Sequence, residues 1–219
     1  MKRNLKQLIM AFEEQATGKA NFEREYVFYA KLTDSSILEQ ASHVESQEQW
    51  TFKIDKTDKN HCSGQIRIRR TDDNGKVSYV QTVKTPMKPL EGDSARSDAT
   101  VPDASQNMLE VAIDASEDAF KQFKMIADQG MIKTRYTFPI EGTELKFEVD
   151  VFHLPNGEKS QWVKVDLEVD KPLESVPSLP DAFTEVIYNQ KDEQTDEEKD
   201  LIRSLYENVF LTKNEYLNK

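Results

Sequence analysis

Three consecutive stretches of alternating residues around Arg135 to Asp170 constrain this chain more than any other part of it. They read KTRYTF, ELKFEVDVF and QWVKVDLEVD. A Gly-containing turn at Pro139 to Thr143 separates the first two, and a Pro-Asn-Gly turn at Pro155 to Gly157 separates the last two. Period-two alternation between turn signals predicts a three-stranded antiparallel meander. Successive side chains of a strand point to opposite faces. Leu145, Phe147, Val149 and Val151 therefore share one side, and Glu144, Lys146, Glu148 and Asp150 the other. In the third stretch Val163, Val165, Leu167 and Val169 oppose Lys164, Asp166, Glu168 and Asp170. Every strand has one apolar and one ionised face, so the direction of the ionised face decides what the sheet can do.

The same two-residue period recurs upstream. NFEREYVFYAKL predicts a strand over Phe22 to Leu32, with Glu23, Glu25, Val27, Tyr29 and Lys31 on one face. EQWTFKID predicts a second strand, and GQIRIRR and KVSYVQTVK form a hairpin around Asp-Asn-Gly. On that hairpin Arg67 and Arg69 share a face, and Lys84 ends the second arm just before Pro86. NMLEVAID adds a fifth strand, and the meander brings the total to eight. Helical spacing predicts helices over residues 3–16, 34–46, 116–128, 181–188 and 196–211, while the aperiodic Met87 to Ser105 stretch predicts a mobile loop.

Two adjacent glutamates on one strand face repel, which points to solvent or to a bound cation. A concentrated cationic face suits a polyphosphate. The formal net charge of -11 argues against bulk nucleic-acid or anionic-membrane binding. One cysteine, Cys62, excludes an internal disulfide framework and sets the expectation of a reducing, cytoplasmic location. His43, His61 and His153 lack zinc-ligand spacing, and Trp50 and Trp162 read as packing residues. Taken singly, each acidic or basic pair is as well explained by a solvated face or a cross-strand ion pair.

The expected fold class is α+β: an eight-stranded antiparallel β-barrel flanked by helices. Helices with one apolar side need a sheet surface to cover, which favours charged faces lining a polar interior. The expected organisation is an N-terminal helix over 1–21, the barrel over 22–172 and a C-terminal helical extension over 173–219 packing on it.

A Glu-x-Glu strand, an Arg-x-Arg strand, a lysine ahead of proline, a helix, an arginine strand, an Asp strand and an acid-x-Glu strand follow one another here. That order resembles the CYTH, or triphosphate tunnel metalloenzyme, superfamily. The resemblance spans about Phe22 to Asp170. It implies a tunnel enzyme that hydrolyses inorganic tripolyphosphate, thiamine triphosphate, nucleoside triphosphates or RNA 5'-triphosphate ends. Another branch of the family makes cyclic AMP from ATP. Carried across, Glu23, Glu25, Asp150, Asp166 and Glu168 would hold Mg2+ or Mn2+, with Glu23, Glu25, Asp166 and Glu168 also catalytic. Arg67, Arg69, Lys84 and Arg135 would grip the phosphates. Val27 stands where the family pattern has lysine. A barrel without turnover, binding an anionic ligand or a protein partner through the terminal helices, is the alternative.

Overall fold

The structure is a computed structural model and describes residues 20–54, 64–86, 106–171, 173–189 and 194–211. Nine strands form one antiparallel sheet in an α+β chain. They are β1 (Ala20–Leu32), β2 (His43–Ile54), β3 (Gly64–Asp73), β4 (Lys76–Pro86) and β5 (Gln106–Asp114), followed by β6 (Gln129–Pro139), β7 (Lys146–His153), β8 (Lys159–Glu168) and β9 (Phe183–Tyr188). Two helices, α1 (Glu117–Ile126) and α2 (Asp196–Val209), and a 3-10 helix over Ser35–Gln40 complete the described elements. The strand order is β5-β4-β3-β2-β6-β7-β8-β1-β9. β1 is shared: Ala20–Glu25 pairs β5, Glu25–Lys31 pairs β8, and the end of the strand pairs β9.

The predicted meander corresponds to β6, β7 and β8, and the Asp-Asn-Gly turn joins β3 to β4 with Asn74 and Gly75 both at positive φ. Those are the angles a two-residue hairpin turn demands. Three expectations are corrected. The strand count among the described residues is nine, not eight. The helix expected over 34–46 is a 3-10 turn capped by Asp34, and from His43 the chain is already β2. HVES continues the alternation of the strand, and the short turn buries no residue that would hold a longer helix. The helix expected over 181–188 is β9, because FTEVIY lies against the open edge of β1, where backbone pairing outweighs a weak local preference. The 173–219 region thus supplies a strand as well as a helix. The N-terminal helix and the 87–105 loop fall outside the described residues. No described helix is long and apolar enough to cross a membrane.

Apolar side chains collect in three clusters. Tyr26, Phe28, Phe147, Val149, Val163 and Val165 come from β1, β7 and β8, and are covered by Ile37, Leu173, Leu179 and Phe183. Trp50 and Ile68 from β2 and β3 are covered by Phe120, Phe123 and Ala127 of the α1 region. Ser116 caps α1 by accepting from the Ala119 N–H, and Glu117 and Asp118 complement the dipole of its first turn. The third cluster lies on the opposite faces of β1, β6 and β7. Val27, Tyr29, Met131 and Phe152 there meet Leu205 and Val209 of α2.

Candidate functional site

Strand parity assembles the site. Arg67 and Arg69 of β3, Lys84 of β4, Arg135 of β6, Asp150 of β7, Asp166 and Glu168 of β8 and Glu25 of β1 all line one cavity of about 670 Å³. All the predicted site residues are therefore brought together except Glu23, whose side chain lies outside the described residues. Its backbone stands opposite Met108 of β5. Sequence reasoning did not name Lys133, Lys164 or Glu110 as site residues, although Lys164 falls on the ionised face with Asp166, and all three lie on the same wall. Lys133 lies two residues before Arg135, and Lys164 two before Asp166, so parity alone could have found both.

Two ion-pair networks divide the wall. In the first, Arg135 donates from Nε to Asp150 Oδ1 at 2.7 Å and from Nη2 to Asp150 Oδ2 at 2.9 Å, and also pairs with Glu148 and, at 3.4 Å, with Asp166. Such a fork–carboxylate contact is stronger and more directional than a single ion pair. Lys133 also donates to Asp150, and Lys164 to Asp166 at 2.7 Å. Burial alone would raise Asp150, but Lys133 and Arg135 outweigh it and hold the carboxyl well below the usual carboxylate range. Burial, reinforced by Arg135, pushes the Lys133 ammonium well below its ordinary value. In the second network Lys84 pairs with Glu110 and lies 3.6 Å from Glu25, while Arg67 lies 3.6 Å from Glu110.

Arg69 stands between the two networks. It makes no ion pair among the described residues, and its Nε is buried without a hydrogen-bond partner. Burial, with Arg67 and Arg135 alongside, pushes its guanidinium down to about 9, so it is still a cation at neutral pH. Asp150 and Glu110 offset its charge only in part, and a cation removed from water without an ion pair is costly.

The carboxylates differ in their fitness for a divalent cation. Asp150 and Asp166 already spend their oxygens on Arg135, Lys133 and Lys164. Glu25 and Glu168 stand directly opposite each other on β1 and β8, a like-charge pair. The Glu168 carboxyl is raised, first by loss of surrounding water and then by Glu148 and Glu25. Glu25 and Glu168 are thus the residues here that suit Mg2+ or Mn2+. Among the described residues no group of three or more His, Cys, Asp or Glu side chains is placed to hold a metal.

Val27 is fully buried against the α2 cluster. The inward face of β1 changes there from ionised to apolar, and the α2 residues Tyr206 and Arg203 complete the cavity wall. The Tyr29 and Tyr206 hydroxyls are hydrogen-bonded at 2.8 Å. A lysine at position 27 would place its ammonium among Ile187, Leu205 and Val209, so the valine belongs with the helix that covers it.

No family model matches the chain, and no curated protein does. Among solved structures, that of PH1819 protein from Pyrococcus horikoshii OT3 matches at 17% identity with a TM-score of 0.46, over 86% of this chain and 93% of that one.

Proposed function

We propose that this protein binds a triphosphate-containing ligand in its charged cavity and hydrolyses the terminal phosphoanhydride with a divalent cation, as a divergent CYTH-like enzyme. In this reading the ladders from β5 round to β1, joined again by the β1–β5 pairing, form the wall of an eight-stranded tunnel with β9 added outside it. The observation that carries the proposal is Arg69, a half-buried cation with no ion pair among the described residues and a buried Nε without a hydrogen-bond partner, on a wall it shares with Arg67, Lys84 and Arg135. A triphosphate supplies the missing negative charge along the length of that wall.

Glu25 and Glu168 would hold Mg2+ or Mn2+, which supplies orientation of a water molecule and charge neutralisation at the nonbridging oxygens. Water oxygen bonds to the terminal phosphorus, the bridging P–O bond breaks, and orthophosphate leaves a diphosphate-bearing product. One water proton stays on the departing orthophosphate and the other passes to solvent. Arg69 and Arg135 take up charge on the transferring group, the usual means of catalysing phosphoryl transfer.

The test is phosphate release from tripolyphosphate, thiamine triphosphate and ATP with Mg2+, beside the melting temperature. Turnover is expected to vanish in Glu168→Gln and Glu25→Gln, and the ligand-induced rise in melting temperature to vanish in Arg69→Gln. No rise with any of these anions in the folded wild type overturns the binding assignment. A rise without phosphate release supports the second reading, a binding protein without turnover, which Val27 in place of the family lysine favours.

A further inference from the structure

The sheet carries an apolar row that belongs to none of the three clusters described above. Phe52, Ile66, Val83 and Val111 stand directly opposite one another across β2, β3, β4 and β5, and Val111 stands opposite Ala20, the first residue of β1. Strand parity puts this row on the face of Trp50 and Ile68, away from the cavity residues Arg67, Lys84 and Glu110. Phe120 and Phe123 pack on Trp50 and Ile68, one step along the strands. Val111 is buried and Ile66 and Val83 are half-buried, but Phe52 is 41% exposed. At that end of the row the Asp128 N–H donates to the Thr51 carbonyl, which brings the end of α1 alongside, and there Met125 and Ile126 are 69% and 62% exposed. Apolar surface of this kind marks a contact site.

The chain holds a segment of matching length and pattern. Residues 1–19 lie outside the described residues and join the sheet at Ala20, the far end of the row. In that segment Leu5, Leu8, Ile9 and Phe12 recur at the spacing of one helix face. A helix over 3–16 is roughly 21 Å long, and the row, at about 4.8 Å per strand spacing, is roughly 19 Å from Ala20 to Phe52. Residues 17–19 leave room for the turn between them. Elsewhere outside the described residues, 55–63 reads DKTDKNHCS and 87–105 is aperiodic, so neither offers such a face.

We propose that residues 3–16 form a helical strap laid across the Phe52–Ile66–Val83–Val111 row, with Leu5, Leu8, Ile9 and Phe12 against the sheet. Its basic start, Lys2, Arg3 and Lys6, then reaches the Phe52 end, next to Asp128. The strap is continuous with β1, so it holds the β1–β5 pairing over Ala20–Glu25, the seam that sets Glu25 3.6 Å from Lys84 in the cavity. The assignment stands independently of the ligand that the cavity takes.

Hydrogen exchange of the full chain reads the strap directly, because a free helix this short is marginal in water and its amides exchange freely. In the wild type, amides of residues 5–16 are expected to exchange at least about tenfold more slowly than those of an unstructured chain. Phe52→Glu with Ile66→Thr is expected to abolish that protection and to speed exchange over Ala20–Glu25, with protection of β6, β7 and β8 unchanged. Leu8→Asp with Phe12→Asp leaves the row itself intact and is expected to do the same, so it decides the matter if the first variant fails to fold. Free exchange of residues 5–16 in the wild type overturns the strap, as does protection that survives in the Leu8→Asp, Phe12→Asp variant. Protection that falls on dilution, with a dimer in sedimentation, gives the row to a second copy of the chain and also overturns it.

Discussion

Replacing Asp150 with asparagine changes one atom in the most heavily cross-linked part of the wall. Asp150 is fully buried and receives two hydrogen bonds from Arg135 and one from Lys133. Neutralising it leaves Lys133 without a counter-ion in a buried site and halves the grip on the Arg135 fork. Breaking a buried pair by removing one partner costs about 3–5 kcal/mol. At about 2–4 °C per kcal/mol for a chain of this size, the melting temperature should fall by roughly 6–20 °C at pH 7. The native carboxyl is held below its ordinary value, so its contribution is complete above an unfolded pKa of about 3.9. It is lost as the pH falls through the depressed native value. The gap between wild type and variant should therefore be constant from pH 8 to 5 and should narrow below about pH 4. Lys133→Met is the control. Burial and Arg135 already disfavour the charged lysine, and the Arg135 fork still serves Asp150 in its absence. That variant should also lose stability, but less than Asp150→Asn, because the Arg135 fork still neutralises the carboxylate. Urea denaturation of the three proteins across pH reads all of these values. Equal stability of Asp150→Asn and wild type at pH 7, or equal losses in the two variants, would refute the assignment of Asp150 as the electrostatic centre of the wall.

Three further substitutions test the packing. Val27→Lys buries an ammonium in the α2 cluster and should cost about 3–5 kcal/mol, with hydrogen-exchange protection lost first across Asp196–Val209. A Cβ on Gly130 would fall 2.7 Å from ring atoms of Trp50, so Gly130→Ala should lower stability by about 1–3 kcal/mol through overpacking, measured by thermal melt. Thr195 accepts from the Glu198 N–H, and the Glu198 side chain reaches back to the Thr195 N–H. Thr195→Ala should therefore cost about 1 kcal/mol, and an unchanged denaturation midpoint would show that this capping box contributes nothing.

Most of the site was legible because strand parity is a strict code. Once Arg135, Asp150 and Asp166 were placed on strands, their common face followed without knowledge of strand pairing. Parity does not say which acids meet which bases. The Arg135 fork on Asp150, and the lack of an ion pair at Arg69 among the described residues, depend on the ladder order, which no local signal records. The β9 stretch reads as a helix from sequence because six residues carry both periods almost equally well, and the edge of β1 decides between them. The covering of Val27 by α2 joins residues far apart in the chain, so the departure from the family pattern at Val27 was visible while its cause was not.

β1 also carries a consequence for how the chain reaches this state. Its partners are β5, β8 and β9, and the β8 ladder joins Glu25 to Glu168 and Lys31 to Trp162. The first half of this strand can pair once β5 is made, but its second half must wait for β8 and β9, near the end of the described chain. Contacts this distant are slow to form, and an unpaired strand edge attracts other chains while it waits. Folding yield should then depend on shielding β1 during synthesis, and refolding from denaturant should be slow and sensitive to protein concentration.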